Sequence, residues 1–229
     1  MKKILLLHGA LGSEIQLINI FIDIPGYDYI TFNFSGHGGK NFSDNFSIDG
    51  FANELKEYIE INNLFGIDVF GYSMGGYVAL YLASKYQNIL GRIFTLGTML
   101  NFGGEFINKE IQKLNIEKIK SKLPHFAELL NQRHFPNSWE ILVERFKEML
   151  TNMKDNENYD IKNFDNIQNR VMLALGDKDD TADLITTINT KKIIKNSSLL
   201  VIPDCPHPIE KVNKERLKFE LENFFQNEI

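Results

Sequence analysis

The sequence predicts an α/β fold, in which a mostly parallel sheet of about six strands is covered by helices on both faces. Short apolar runs that lack polar alternation are typical of strands buried on both faces. Such runs occupy residues 4–7, 29–34, 67–70, 92–96, 171–175 and 199–202. Helical periodicity lies between most of these runs, and strands that alternate with helices favour right-handed crossovers and a parallel sheet.

Three helices are indicated most clearly. Ser47 is a residue type that caps helix N-termini, and the apolar residues after it recur at helical spacing through Ile59. A second helical pattern follows the glycine pair at Gly75 and Gly76. Near the end of the chain, an apolar stripe among charged residues, from Val212 to Phe225, predicts the last helix.

One region interrupts the alternation of strands and helices. Between about Asn101 and about Lys162 no strand pattern occurs, and charged amphipathic stretches cover 105–121, a piece after Pro124, and 138–153. We interpret this region as a helical insertion between two strands. The alternative is an ordinary helical layer of the same domain.

Composition limits the classes of function. The 229 residues are 43% hydrophobic and 24% charged, which is typical of one globular domain. A net charge of −5 argues against sequence-independent binding to nucleic acid. The single cysteine, Cys205, excludes an intrachain disulfide, and no apolar stretch approaches the ~20 residues that span a membrane. We therefore expect a cytoplasmic protein without a membrane or nucleic-acid partner.

The strongest chemical signal is Gly71-Tyr72-Ser73-Met74-Gly75, which lies between a predicted strand and a predicted helix. This G-x-S-x-G pattern places a serine nucleophile on a sharp strand-to-helix turn. Glycines on both sides let the strand and the helix approach closely. Met74 then offers a backbone N–H at a helix N-terminus, which suits a developing oxyanion.

The first predicted strand ends at His8-Gly9-Ala10, and here the sequence resembles the α/β-hydrolase superfamily. The resemblance implies that Ala10 donates the second N–H of an oxyanion hole. It favours His8 as a residue that stabilises the loop, not as the general base. Residues 33–40 look like the glycine loop that this family has after the next strand. Phe34 and Asn41 exclude a phosphate-binding loop there.

The resemblance also implies the remaining members of a catalytic triad, in the order nucleophile, acid, histidine. It places the acid fourth in Gly176-Asp177-Lys178-Asp179, which selects Asp179 over its neighbours Asp177 and Asp180. It places the general base at His207, after the last strand. Pro206 stands where the family usually has glycine. Cys205 has no nucleophile turn around it and is expected to pack against the strand end.

No metal site and no cofactor are expected. The five histidines lack the close pairing of a zinc motif, and one cysteine is too few for a cysteine-based site. His125 and His134 lie in the helical insertion, where either could line a pocket, but we expect both to lie at the surface. Seven residues precede His8 in this sequence, so we expect the first strand to lack the hairpin that the family places before it.

Taken over nearly the whole chain, the resemblance implies a hydrolase core of residues 1–100 and 163–229 with a helical cap at 101–162. It implies a serine hydrolase that cleaves a small or medium acyl ester or thioester through an acyl-enzyme on Ser73. Ser73 argues against relatives with an aspartate nucleophile, and Tyr77 argues against a lyase subgroup with arginine at that position. A carbon–carbon bond hydrolase and a cofactor-free perhydrolase remain alternatives, as does a non-catalytic ligand-binding protein.

The cap region is rich in large apolar side chains. They could supply an acyl pocket, although we expect most of them to pack the cap helices against the core: Phe102, Phe106, Phe126, Phe135, Trp139, Phe146 and Met149.

Overall fold

The computed structural model describes residues 1–226, and within them it contains a six-stranded sheet. The strands are β1 (Lys2–Leu7), β2 (Tyr27–Phe32), β3 (Ile67–Tyr72), β4 (Leu90–Leu96), β5 (Val171–Lys178) and β6 (Ser197–Pro206). Their order across the sheet is β2-β1-β3-β4-β5-β6, and every neighbouring pair is parallel. The predicted fold class and the predicted number of strands are confirmed, and each predicted apolar run overlaps one strand.

Helices connect the strands. They are α1 (Glu14–Phe21), α2 (Ile48–Ile61), α3 (Met74–Lys85), α4 (Gly104–Lys113), α5 (Ile116–Lys122), α6 (Pro124–His134), α7 (Trp139–Met153), α8 (Leu184–Ile193) and α9 (Lys214–Gln226). Ser47 caps α2 as predicted, because its hydroxyl accepts a hydrogen bond from the Gly50 N–H at 3.0 Å. The predicted second and last helices correspond to α3 and α9.

The sheet is buried on both faces. In β1, Leu5 and Leu7 pack into an apolar cluster with α2 and α3, whereas Ile4 and Leu6 pack into a second cluster with α1 and α9. All four side chains are fully buried. Burial of alternate residues on opposite faces explains why the strands lack polar alternation, and each such side chain contributes roughly 1.5–3 kcal/mol.

Between β4 and β5 the chain is helical. We define the helical segment as residues 104–153, which comprise α4 to α7. The amphipathic stretch 105–121 forms two helices, because the Asn115 side chain accepts a hydrogen bond from the Lys118 N–H and so caps α5. Part of the helical segment has its own small apolar cluster, made of Ile119, Leu130, Trp139, Leu142 and Val143 together with Leu11 from the loop after β1.

The strand order locates the place where a ligand is expected. The chain proceeds from β1 to one neighbour, β2, and then returns to the other side of β1 to form β3. Parallel α/β sheets bind ligands at such a switch point, beyond the carboxyl ends of the strands. Leu7 pairs with Gly71, so the loops after β1 and β3 leave the sheet side by side. Across residues 1–226, none of the helices is long and apolar enough to cross a membrane.

Candidate active site

Ser73 lies between the end of β3 and the start of α3 in an unusual backbone conformation. Its φ and ψ angles are 50° and −116°, a combination that side-chain-bearing residues rarely adopt. The turn is held from inside, because the Ser73 N–H donates to Leu96 O and Ser73 O accepts from Gly76 N and Tyr77 N. Thr98 Oγ1 also donates to Ser73 O, at 3.2 Å. The strained turn is therefore fixed by four hydrogen bonds.

Close backbone contacts require glycine on both sides of this serine. A methyl group at Gly71 would lie 2.5 Å from the Gly76 Cα. One at Gly75 would lie 2.7 Å from His8 O and closer still to Leu7 O. Real Cβ atoms do not approach other atoms this closely, so the helix can sit against β1 and β3 only with glycine at these positions.

Asp179 and His207 form a hydrogen-bonded pair. His207 Nδ1 lies 2.9 Å from both carboxylate oxygens of Asp179. An ionised carboxylate only accepts hydrogen bonds, so Nδ1 carries the imidazole proton and Nε2 is free to accept one. The Asp179 side chain is only 2% exposed, whereas that of His207 is 18% exposed. The acid is therefore buried behind the imidazole.

Backbone groups fix Asp179 in place. Asp179 Oδ1 accepts hydrogen bonds from Thr181 N at 2.8 Å and from Ala182 N at 2.7 Å. Its neighbours have other surroundings: Asp177 accepts from Cys205 N, and Asp180 forms an exposed ion pair with Lys113. Asp183, which the sequence did not single out, caps α8.

Gly97, at the end of β4, is a site residue that the sequence reasoning missed. Its φ is 62°, and a methyl group there would lie 3.0 Å from Asp179 Oδ2 and 3.3 Å from His207 Nδ1. The glycine leaves room for the acid–histidine pair. A glycine directly after an apolar run was the only available signal in the sequence.

The strand end before His207 is irregular, because Asp204 has a φ of 55° and the register between β5 and β6 shifts between Gly176 and Lys178. β6 continues through Pro206, which pairs with Lys178, so His207 follows the strand directly. Tyr72 Oη, at the end of β3, donates to His207 O at 3.0 Å and fixes the backbone of His207. Cys205 is buried against the strand end, and burial raises the pKa of its thiol, which disfavours the reactive thiolate.

The loop of residues 9–12 faces Ser73 from the end of β1. A methyl group at Gly9 would lie 3.1 Å from the Ser73 Cβ, so the two loops are in contact. The Phe34 N–H donates to His8 Nε2, which leaves the proton on Nδ1, and Nδ1 donates to Gly9 O at 2.8 Å. This bond orients the peptide that carries the Ala10 N–H. His8 thus stabilises the loop, as the sequence indicated.

Three buried imidazoles form a row beneath this loop. The ring centroids of His8 and His37 are 4.9 Å apart, and those of His37 and His134 are 5.7 Å apart. Burial lowers the pKa of His8 to about 3 and that of His134 to about 4, and it lowers the pKa of His37 well below its usual value. The prediction that His134 lies at the surface is wrong, because His134 is fully buried; His125 is exposed.

One cavity of about 340 Å³ collects the predicted site residues. Ala10, Ser73, Met74 and His207 line it, and Asp179 lies behind His207. Met74 is the first residue of α3, so its N–H has no partner within the helix. The remaining lining is mainly apolar and includes the following side chains from the β4–α4 loop and the helical segment: Phe102, Leu114, Ile119, Leu123, Phe126, Phe146, Met149, Leu150 and Met153. Of the large apolar residues singled out in the sequence, Phe106, Phe135 and Trp139 do not line it.

Charged side chains line one part of the cavity. Lys113 and Glu110 line it and form an ion pair of 2.9 Å, and Lys113 also contacts Asp180 at 3.2 Å. The positive charge of Lys113 is therefore matched by two carboxylates. Within residues 1–226, no group of three or more His, Cys, Asp or Glu side chains is arranged to hold a metal ion.

Comparison with known proteins places this geometry in a family. A family model described as the alpha/beta hydrolase fold matches residues 2–125. No curated protein sequence matches the chain. Among solved structures, an esterase from Exiguobacterium antarcticum superposes with a TM-score of 0.81 at 16% identity, covering 99% of this chain and 92% of that one.

Two other solved structures agree with that result. A meta-cleavage product hydrolase from Pseudomonas fluorescens gives a TM-score of 0.77 at 19% identity, with 99% of this chain and 91% of that chain covered. A bromoperoxidase from Bacillus anthracis gives a TM-score of 0.76 at 18% identity, with 99% and 92% covered. At these identities the likeness concerns the fold alone. Because the family model spans more than half of the sequence and the sheet has the matching architecture, the chain belongs to the α/β-hydrolase fold family.

Proposed function

We propose that this protein is a serine hydrolase that cleaves a small or medium acyl ester or thioester through an acyl-enzyme on Ser73. One observation carries the proposal: Ser73 and His207 line the same apolar cavity, and Asp179 is bonded to the far side of the His207 ring. A nucleophile, a base and an oriented carboxylate in this order are the components of a serine triad.

The first half of the reaction follows from these positions. His207 Nε2 accepts the Ser73 hydroxyl proton as Oγ attacks the acyl carbon, and the carbonyl oxygen becomes an oxyanion. The N–H groups of Ala10 and Met74 donate to that oxygen, and one such donor typically contributes about 10²–10³ in kcat. The protonated His207 gives its proton to the leaving alcohol or thiol, and Asp179 stabilises the imidazolium.

The second half of the reaction restores the enzyme. Water enters, His207 accepts one of its protons, and the resulting hydroxide attacks the ester carbon on Ser73. The same two N–H groups stabilise the second oxyanion. When that intermediate collapses, the Ser73–carbon bond breaks, Ser73 Oγ regains the proton from His207, and the carboxylic acid leaves.

We propose further that residues 101–162 act as a cap over a core of residues 1–100 and 163–229. The support is that α4 to α7 contribute much of the apolar lining opposite Ser73. A volume of about 340 Å³ is at the small end of ligand pockets, which supports a small or medium acyl group. The pairing of Lys113 with Glu110 and Asp180 supports a neutral substrate rather than a carboxylate.

Other reactions can use the same side chains. A solved relative is named as a meta-cleavage product hydrolase and another as a bromoperoxidase, so carbon–carbon bond hydrolysis and perhydrolysis are the competing activities. The neutralised Lys113 argues against an acidic carbon–carbon substrate. A ligand-binding protein without turnover is the competing class, and the intact Asp179–His207 pair argues against it.

The test is a panel of p-nitrophenyl esters from acetyl to dodecanoyl, together with labelling by a fluorophosphonate probe. We expect turnover to peak at short or medium chains. Ser73→Ala should abolish labelling and reduce kcat by about 10⁶-fold, as loss of a triad serine does. Ser84→Ala, the same change near the other end of α3, is the matched control. Labelling or turnover that survives Ser73→Ala would refute the proposal.

A further inference from the structure

The loop of residues 9–12 is a tight turn with an unfavourable residue at its centre. The Gly12 N–H donates to Gly9 O at 3.1 Å, which makes Ala10 and Leu11 the two central residues. Leu11 has a φ of 55°, in the left-handed region that turns of this kind usually give to glycine. Something outside the turn must therefore keep Leu11 in this conformation.

The C-terminus of α6 supplies two hydrogen bonds to Leu11. Arg133 Nη1 donates to Leu11 O at 2.8 Å, and His134 Nε2 lies 3.1 Å from the same oxygen. The Gly38 N–H donates to His134 Nδ1 at 3.1 Å, so Nδ1 is the acceptor and Nε2 carries the proton. Both bonds to Leu11 O are therefore donated by the helical segment.

Apolar packing adds to this contact. The Leu11 side chain is 8% exposed and belongs to the small cluster of the helical segment, beside Leu130 and Trp139. A residue of the loop after β1 is thus inserted into the packing of α5 to α7. From the core, His8 donates a hydrogen bond to Gly9 O, and from the helical segment, Arg133 of α6 donates one to Leu11 O. The loop is thus held from both sides.

We propose that Arg133 and His134 are positioning residues for the oxyanion hole. This inference rests on the proposed function, because it assigns the Ala10 N–H to the oxyanion. By holding the Leu11 carbonyl, the two side chains keep Leu11 at positive φ and keep the turn closed. When they are removed, Leu11 can relax to negative φ, and the peptide that carries the Ala10 N–H turns away from the acyl oxygen.

This role predicts a particular kinetic signature. The oxyanion exists in the transition state and not in the bound ester, so loss of the donor geometry lowers kcat and leaves KM almost unchanged. A misplaced donor costs less than a deleted one, whose loss is about 10²–10³-fold. We therefore expect kcat to fall about 10- to 100-fold for Arg133→Met and for His134→Ala, with KM within about twofold.

Two further substitutions separate the hydrogen bonds of His134. His134→Gln places an amide N–H near the position of Nε2 and keeps the donor to Leu11 O. His134→Asn places its amide oxygen near the position of Nδ1, so it still accepts from the Gly38 N–H but no longer donates to Leu11 O. We expect His134→Gln to retain most of the wild-type kcat and His134→Asn to behave like His134→Ala. A role in folding alone predicts no such order.

Arg145 provides the matched control. It is also an arginine of the helical segment, and its Nη1 donates at 2.9 Å to a carbonyl of a core loop, Ser43 O. Arg145→Met removes the same kind of contact at a place distant in sequence from residues 9–12 and outside the cavity lining. We expect Arg145→Met to keep the wild-type kcat, and thermal melting of all variants shows which of them are folded.

An alkyl boronic acid gives a second measurement. Ser73 Oγ adds to its boron as the Ser73 proton passes to His207, and the tetrahedral, negatively charged boronate places one of its hydroxyl oxygens in the oxyanion position. Its inhibition constant should rise by the same factor by which kcat/KM falls in Arg133→Met and His134→Asn. Folded variants with a wild-type kcat, or with only a raised KM, would overturn the inference while the proposed function stands. Failure of the unmodified protein to hydrolyse esters would overturn both.

Discussion

The cavity has two walls that are built differently. The sheet wall consists of the loops after β1, β3, β4, β5 and β6, and the helical wall consists of the side chains of α4 to α7. In the sheet wall, backbone segments touch at Gly71 and Gly75, and the backbone at Gly97 lies against the Asp179 and His207 side chains, so that a methyl group at any of these glycines fits only if its neighbours move. The helical wall is lined by adaptable side chains such as Phe146 and Met149. Changes in the sheet wall should therefore affect the chemistry, and changes in the helical wall should affect the choice of substrate.

The largest effect in this comparison is expected for Asp179→Asn in the sheet wall. An amide cannot hold the His207 proton on Nδ1 as the carboxylate does, and the imidazolium loses its counter-charge. We expect kcat for the best ester to fall about 10⁴-fold with little change in stability, measured by steady-state kinetics and thermal melting.

The neighbouring aspartates are the controls for that substitution. Asp177→Asn and Asp180→Asn make the same chemical change within three residues of the site, and we expect each to change kcat by less than about threefold, since neither carboxylate contacts His207. A larger loss of kcat in Asp180→Asn than in Asp179→Asn would show that Asp179 is not the acid of the triad.

The next largest loss of kcat is expected for a glycine of the sheet wall, which we compare with a glycine beside the helical wall. Gly75→Ala forces a methyl group against Leu7 O and His8 O, so α3 must move away from β1. A shift of about 1 Å at the nucleophile costs about 10²-fold in kcat, and the strain costs roughly 1–3 kcal/mol in the free energy of unfolding.

Gly103→Ala is the matched change at the start of the helical segment. Gly103 has a φ of −62°, and its nearest neighbour is the end of the Asn101 side chain, which can move. We expect kcat and the denaturant midpoint to stay near wild type. Equal losses in both variants would show that the two walls are equally rigid.

Much of the sheet wall could be predicted from the sequence because backbone requirements leave local signals. The apolar runs gave the six strands, and the G-x-S-x-G pattern located the turn at Ser73. Gly97 was missed because its necessity arises from Asp179 and His207, which are distant in the sequence. The site residues themselves stay predictions until they are substituted.

The helical wall was less predictable for the same reason. Helical periodicity shows that a face is apolar but does not tell which element covers it. Phe146 and Phe126 reach the cavity, whereas Trp139 packs inside the helical segment and Phe135 is 76% exposed. The burial of His134 depends on Leu11 and Gly38, more than 90 residues earlier in the chain, so no local pattern indicated it.

Substrate preference should respond to a change in the helical wall. Phe146→Leu removes part of an aromatic ring from the cavity lining, and one methylene of added room is worth about tenfold or more in discrimination between acyl chains. We expect the ratio of kcat/KM for octanoyl over butanoyl esters to rise about tenfold, with kcat for the preferred ester unchanged. Ile141→Val, on the exposed face of the same helix, should leave the ratio unchanged.

The smallest effect concerns pH and separates buried from exposed histidines. Burial holds the pKa of His37 well below 6.5, so the folded protein keeps this imidazole neutral while the unfolded chain takes up a proton. Its stabilising contribution is complete above pH 6.5 and is lost as pH falls below that value, by up to about 1.4 kcal/mol per pH unit.

His37→Asn keeps a donor for Ser35 O, the partner of Nδ1, and removes the titration. Urea unfolding between pH 7.5 and 5.5 should show a shallower loss of stability for His37→Asn than for wild type, whereas His125→Gln, at an exposed site, should follow the wild-type curve. Parallel curves for His37→Asn and wild type would mean that His37 takes up its proton in the folded protein as it does in the unfolded chain. The conclusion that the imidazoles beneath residues 9–12 are neutral would then be wrong.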